Sequence, residues 1–138
     1  MDPLSVIVST ITLLTAVGAI AKKIKAVHSA NNGLLAVLDD LSDFERLLRQ
    51  IKSLIEEYGS NIPEGQLSDL SALLEKAKTK FSELDMTTQN NVARLKASGK
   101  IQASKMAWTR EFSTIRSLQD SLKDIMQKLS TLLSNMSL

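Results

Sequence analysis

The sequence predicts an all-α fold, an antiparallel four-helix bundle that forms a single domain over residues 1–138. Apolar residues recur at alternating steps of three and four along four segments, and no segment shows the strict alternation of a half-buried strand. The chain has only three Phe, one Trp and one Tyr but many Leu, Ser, Lys and Ala residues, which favours helices over a sandwich or barrel. At 138 residues it is long enough to bury a core.

The first predicted helix spans about residues 3–28, with Asp2 as its N-cap and Pro3 at its first position. Nineteen consecutive residues, Pro3 to Ala21, carry no charge. Large apolar side chains fall on almost every face of this helix: Leu4, Val6, Ile7, Val8, Ile11, Leu13, Leu14, Val17 and Ile20. A helix that is apolar all round is either buried in a protein or placed in a bilayer, and this one is long enough for both. We therefore expect it to be packed by the other three helices or inserted in a membrane.

Two further features flank this apolar surface. A stripe of small residues predicts a face on which helices approach closely in lipid: Ser5, Ser9, Thr12, Ala16 and Ala19. Three lysines follow the apolar run directly, Lys22, Lys23 and Lys25. Basic residues beside a membrane-binding helix attract anionic lipid, although an ordinary solvated surface explains the same lysines. A secretory signal fits less well, because Asp2 stands where a basic segment belongs and the positive charges come after the apolar run.

The remaining helices are predicted at about 33–58, 64–96 and 109–135, with a short helix near 100–108 as an additional option. Gly59 and Pro63 separate the second helix from the third, and Thr109 is a candidate cap for the fourth. The second helix has a sustained apolar seam: Leu34, Val37, Leu41, Phe44, Leu48, Ile51, Ile55 and Tyr58. The third and fourth repeat the same spacing, from Leu67 to Leu84 and from Phe112 to Met136.

The sequence lacks the groups that catalysis or metal binding requires. His28 is the only histidine and there is no cysteine, so a zinc site or a nucleophile–histidine pair would be incomplete. The acidic cluster Asp39, Asp40, Asp43 and Glu45 matches no calcium loop and is better interpreted as a solvated helix start. We expect no enzyme activity, no cofactor and no metal. Nucleic-acid binding would need more positive charge and more aromatic surface.

Three stretches of the sequence resemble the HeLo-like N-terminal domain of fungal NLR-like STAND proteins. They are the opening Met1 to Val6 (MDPLSV), followed by a small-and-apolar helix; the leucine-rich second helix; and Lys105 to Trp108 (KMAW), which leads into Phe112 to Leu118 (FSTIRSL). The resemblance covers essentially the whole chain. It implies a helical bundle that acts as a programmed-cell-death effector, similar in concept to the four-helix executioner domain of mixed-lineage-kinase-like proteins.

The resemblance also implies how such a domain works. A sensor domain, either C-terminal to the bundle or on another chain, would release the bundle. The released bundle would self-associate and move from the cytoplasm to the plasma membrane. The first helix would target or disrupt that membrane, with anionic lipids as partners. The alternative is a protein-binding adaptor or oligomerisation bundle whose first helix stays buried. A lipid-carrying bundle is a further, weaker alternative.

Overall fold

The computed structural model describes residues 2–25, 32–98 and 101–136, with side chains over 2–25, 35–90 and 113–136. Four helices account for nearly all of these residues: α1 (Pro3–Lys25), α2 (Asn32–Tyr58), α3 (Glu64–Ser98) and α4 (Ile101–Ser134). A 3-10 turn, Gly59–Asn61, follows α2 directly. The described residues contain no strand, so the predicted all-α four-helix bundle is confirmed.

The helices alternate in direction along the chain. Pro3 of α1 lies against Gly59 at the end of α2, so these two helices are antiparallel. Ser9 and Lys23 of α1 contact Lys78 and Asp85 of α3, so α1 and α3 run in the same direction. α4 is antiparallel to α3, and its Gln119 contacts Asp40 near the start of α2. The neighbouring helices are thus antiparallel in the pairs α1–α2 and α3–α4 and parallel in the pairs α1–α3 and α2–α4.

The first helix, predicted to be packed by the other three, has α2 and α3 as its immediate neighbours. α1 packs against α2 and α3, whereas α4 packs against α3 and, less extensively, α2. α1 and α4 therefore occupy opposite corners of the bundle. The physical reason is that each of the four helices has one apolar seam that can be buried, and a square arrangement buries all four seams without enclosing any helix.

The connection from α2 to α3 runs beneath the start of α1. A Cβ placed on the buried Gly59 would lie 2.9 Å from Cβ of Pro3, so this close approach requires glycine. Ile62 is buried below the turn, and its N–H donates to the carbonyl oxygen of Gly59. Pro63 then precedes α3, and its carbonyl oxygen accepts from the N–H groups of Gln66 and Leu67. The glycine predicted to end α2 thus also contacts the first turn of α1.

The core consists of the predicted seams. The ring centroids of Phe44 in α2 and Phe81 in α3 are 4.9 Å apart in an edge-to-face arrangement that fills the space between these two corners. Both rings are at most 1% exposed. Leucine and isoleucine side chains from all four helices surround them, including Leu13, Leu48, Leu74, Ile115 and Leu129.

The start of α4 differs from the prediction, and the predicted end of the first helix is not described. The separate short helix near 100–108, with Thr109 capping the next helix, is wrong because α4 continues without interruption from Ile101 to Ser134. No glycine or proline lies between these residues, and the helix propensity of Thr109 is only modestly lower than that of alanine, which is not enough to end a helix. Predicted residues 26–28 of the first helix lie outside the described residues.

Candidate functional site: the outer face of α1

Side-chain hydrogen bonds to the backbone occur at the start of α1 and along its length. The N–H of Leu4 donates to Oδ1 of Asp2 at 3.1 Å, which confirms the predicted N-cap. Three threonine hydroxyls donate to the carbonyl oxygen one turn earlier: Thr10 to Val6 (2.8 Å), Thr12 to Val8 (3.0 Å) and Thr15 to Ile11 (3.1 Å). These three hydroxyl protons are therefore bonded within the helix itself and need no partner outside it.

The apolar surface predicted for α1 divides into two opposite faces. Val6, Leu13, Val17 and Ile20 are buried against α2 and α3, and Ile7 and Leu14 are half-buried beside them. Leu4, Val8 and Ile11, by contrast, are 63%, 57% and 46% exposed. We call this second surface, with Thr15, Gly18 and Ala19, the outer face of α1. All six residues are exposed.

α1 is long and apolar enough to cross a membrane by length and composition. Core helices and signal sequences share that composition, so exposure is the informative observation. Only 28% of the residues in its most apolar window are buried. A core helix of a soluble protein buries most of its residues, whereas this helix presents three large apolar side chains to solvent.

The small-residue stripe lies along the α3 side of α1. Ser9 is buried and Ala16 half-buried, whereas Ser5, Thr12 and Ala19 are exposed. Nζ of Lys78 in α3 donates to Oγ of Ser9 at 3.2 Å and also bonds Oε1 of Glu75 at 2.9 Å. This contact was not predictable from the sequence, because the two residues are far apart in the chain and no pattern links them. The stripe is thus partly used by the bundle, at its contact with α3.

The three predicted lipid-contacting lysines differ in their surroundings. Lys22 and Lys25 are exposed. Lys23 is half-buried, and its Nζ lies 2.6 Å from Oδ1 of Asp85 in α3, with Oε1 of Gln89 at 3.5 Å. Lys23 thus forms an ion pair between α1 and α3, whereas the other two lysines are exposed.

We expect the Lys23–Asp85 ion pair to contribute little to the stability of the fold. Both side chains are more than a third exposed, and pairs of this kind contribute about 0.2–1 kcal/mol because water screens them. A double-mutant cycle of Lys23→Met and Asp85→Asn, measured by urea unfolding, should give a coupling free energy below about 1 kcal/mol. A coupling several times larger would mean that this pair, rather than the apolar seam, holds α1 in place.

The other sequence candidates do not form a site in the part of the chain that the structure describes. Asp40 accepts a hydrogen bond from Nε2 of Gln119 at 2.8 Å, while Asp43 and Glu45 pair with Arg46 and Arg49 on the same helix. No group of three potential metal ligands occurs among the described residues. His28 lies outside them, and the side chain of Trp108 is likewise outside the described set.

The surface also contains a groove that sequence reasoning missed. It is an open depression of about 660 Å³ between α3 and α4, and its lining includes Leu73, Leu132, Asp69, Asp124 and Lys128. A seam of apolar residues predicts that two helices touch, but how closely they touch along their length depends on side-chain packing in three dimensions. The groove therefore had no signal in the sequence.

Comparison with known protein families, with curated protein sequences and with solved structures finds no match. The class of this protein therefore rests on its own geometry: it is an all-α four-helix bundle with an apolar, partly uncovered N-terminal helix.

Proposed function

We propose that this chain is a membrane-targeting signalling domain and that α1 is its membrane-binding element. The observation that carries the proposal is the outer face of α1, where Leu4, Val8 and Ile11 stand in solvent although the helix is otherwise held by α2 and α3. Clustered exposed apolar side chains of this kind mark interaction sites in soluble proteins.

The first step would be binding to the membrane surface without unfolding. The outer face can enter the interfacial region of a bilayer while the opposite face remains packed on α2 and α3, as an interfacial amphipathic helix does. Lys22 and Lys25 are exposed at the end of the same helix, where they can approach anionic headgroups. Each basic residue near an anionic surface contributes about 1 kcal/mol of attraction.

The second step would be insertion of α1. The uncharged stretch from Pro3 to Ala21 is about as long as the hydrocarbon core requires. Its threonine hydroxyls are already bonded within the helix, which lowers the free energy needed to desolvate them. Insertion would move the buried side chains of Val6, Leu13, Val17, Ile20 and Ile24 from the bundle to lipid, so the two apolar environments compete for the same surface.

The cell-death role is the part of the proposal that rests on the resemblance. In that role the domain is cytoplasmic until a sensor, downstream or on another chain, releases it to the plasma membrane, where it self-associates and permeabilises the bilayer. The alternative is a protein-binding adaptor in which α1 stays in the bundle. The open groove between α3 and α4 favours this alternative, because it could receive a partner segment.

Vesicle binding tests the role of the outer face. Replacing Leu4 and Val8 together by Gln should weaken binding to anionic vesicles about tenfold or more, because each large apolar side chain transferred to lipid contributes on the order of 1 kcal/mol. Both side chains are more than half exposed, so the fold should be unchanged. The measurement is co-sedimentation with vesicles over a range of lipid concentrations.

Two comparisons make this test specific. Met86→Gln changes another exposed apolar side chain, 66% exposed on α3, and should leave vesicle binding unchanged. Lys22→Gln with Lys25→Gln should weaken binding to anionic vesicles more than Lys23→Gln does, because Lys23 is already paired with Asp85. Equal binding by the wild type and the Leu4/Val8 variant would exclude the outer face as the lipid contact and favour the adaptor.

A further inference from the structure

Gly18 has no explanation within the described part of the chain. It lies inside α1 on the outer face, and a Cβ added there would meet no atom within 4 Å. Glycine inside a helix costs roughly 0.5–1 kcal/mol relative to alanine. No side chain of the described residues fills the space at Gly18. A glycine on an exposed apolar face leaves room for another helix to pack closely there.

The outer face is divided between large and small side chains. Its first half carries Leu4, Val8 and Ile11, and its second half carries Thr15, Gly18 and Ala19. Leu4 and Gly18 are equally far from Ile11, one before it and one after it. Each distance is about 10 Å along the helix axis. If two copies of α1 pack antiparallel about an axis at Ile11, Leu4 of each copy lies over Gly18 of the other. The large half of each helix then fits the small half of its partner.

The charges of α1 favour the same arrangement. The helix begins after Asp2 and ends with Lys22, Lys23 and Lys25, and nothing between Pro3 and Ala21 is charged. Antiparallel packing about Ile11 brings Asp2 of one copy within about one helical turn of Lys22 of the other, at both ends of the contact. Parallel packing would place Lys22 beside Lys22 and Lys25 beside Lys25. The antiparallel pair also aligns the two helix dipoles favourably.

We propose that the outer face of α1 is a homodimer interface, in which two copies of this chain pack antiparallel about a two-fold axis at Ile11. The contact is isologous, so each copy contributes the same surface. Because it covers the apolar side chains proposed to meet lipid, the dimer and the membrane-bound form would exclude one another. The dimer itself forms in water and does not depend on the membrane function.

A pair of matched glycine variants tests the interface. Gly18→Leu should leave the monomer folded, because space around Gly18 is open, and should weaken dimerisation at least tenfold by colliding with Leu4 of the partner. Gly65→Leu is the control: Gly65 also lies in open space, but at the start of α3. Sedimentation equilibrium without lipid or detergent gives the dissociation constants, and circular dichroism checks the fold.

The wild type and Gly65→Leu should dimerise alike, and Gly18→Leu should be mostly monomeric. Lys22→Glu, on an exposed side chain, is a second variant that should weaken the dimer by placing a negative charge near Asp2 of the partner. A wild type that remains monomeric at several hundred micromolar would overturn the proposal. Equal dimerisation by Gly18→Leu and Gly65→Leu would also overturn it.

Cross-linking tests the direction of packing. The chain has no cysteine, so a single introduced cysteine reports one position. Ile11→Cys should form a disulfide-linked dimer rapidly on mild oxidation, because position 11 faces itself across the axis. Leu4→Cys should not, because the two copies of position 4 would be about 20 Å apart along the axis. Rapid cross-linking of Leu4→Cys would show parallel packing and contradict the proposed dimer. The membrane proposal would survive either result, since it is tested on vesicles.

Discussion

A disulfide between the first turn of α1 and the end of α2 should stop this protein from permeabilising vesicles while leaving its surface binding intact. Cβ of Pro3 lies 2.9 Å from the position that a Cβ would take at Gly59, about 0.6 Å short of the lower end of the usual Cβ–Cβ range of a disulfide. Pro3→Cys combined with Gly59→Cys can therefore close a bond once the turn at Gly59 moves away from α1 by about that distance. In a chain without other cysteines this is the only disulfide that can form within one molecule.

The tether acts on insertion because of the direction that α1 must take. In the proposed insertion, Lys22, Lys23 and Lys25 would keep the end of α1 on the near side of the bilayer, so its N-terminus would cross to the far side. A covalent bond to the end of α2 holds that N-terminus on the bundle. The outer face remains free to bind the membrane surface, because the tether leaves Leu4, Val8 and Ile11 exposed.

Dye release from anionic vesicles measures this effect. The oxidised double variant should release almost no dye, and a reducing agent should restore release to the level of the reduced protein. Each single variant controls for the loss of Pro3 or Gly59. The closed loop should also raise the free energy of unfolding, by about 4 kcal/mol in the chain-entropy estimate. Full release by the oxidised, folded protein would mean that α1 permeabilises membranes without leaving the bundle.

Removing a ring from the core should have the largest effect on stability. Phe81→Ala should lower the free energy of unfolding by about 3–5 kcal/mol, because it removes a fully buried ring and leaves a cavity against Phe44. The midpoint of thermal unfolding should fall by roughly 10–20 °C. Met86→Ala, on an exposed residue of the same helix, should change stability by less than about 0.5 kcal/mol.

The Phe44–Phe81 contact can be separated from the burial of each ring. In a double-mutant cycle with Phe44→Ala, the two substitutions should be non-additive by about 0.5–1.5 kcal/mol, since the rings share one contact and one cavity. Additive losses would indicate that each ring is stabilised by its other neighbours and that their mutual contact contributes nothing.

The helices were predictable because each has one apolar seam with helical spacing. Leu41, Leu48, Leu74 and Leu129 were all expected in the core, and all are buried. Gly59 and Pro63 similarly indicated the end of α2 and the start of α3. These features depend on short stretches of sequence and on which side of a helix its apolar residues lie.

The exposure of α1 was not predictable in the same way. Val6 and Val8 are the same residue type two positions apart, yet one is completely buried and the other is 57% exposed. On a helix with apolar residues all round, its own sequence does not determine which side is buried. The packing of the neighbouring helices determines it. The separate roles of Lys22 and Lys23 depend likewise on Asp85, which is distant in the chain. The proposed site therefore emerged from packing rather than from a motif.

The order of α1 and α3 along the chain affects how the protein is made. Ser9 finds its α3 partner Lys78 after 69 further residues have been added. At typical synthesis rates of about 5–20 residues per second, this takes roughly 3–14 seconds. During that interval an uncharged, apolar helix has left the ribosome before half of its binding surface exists. The apolar surface of α1 is therefore exposed to solvent in two situations: all of it in the nascent chain, and its outer face in the folded bundle.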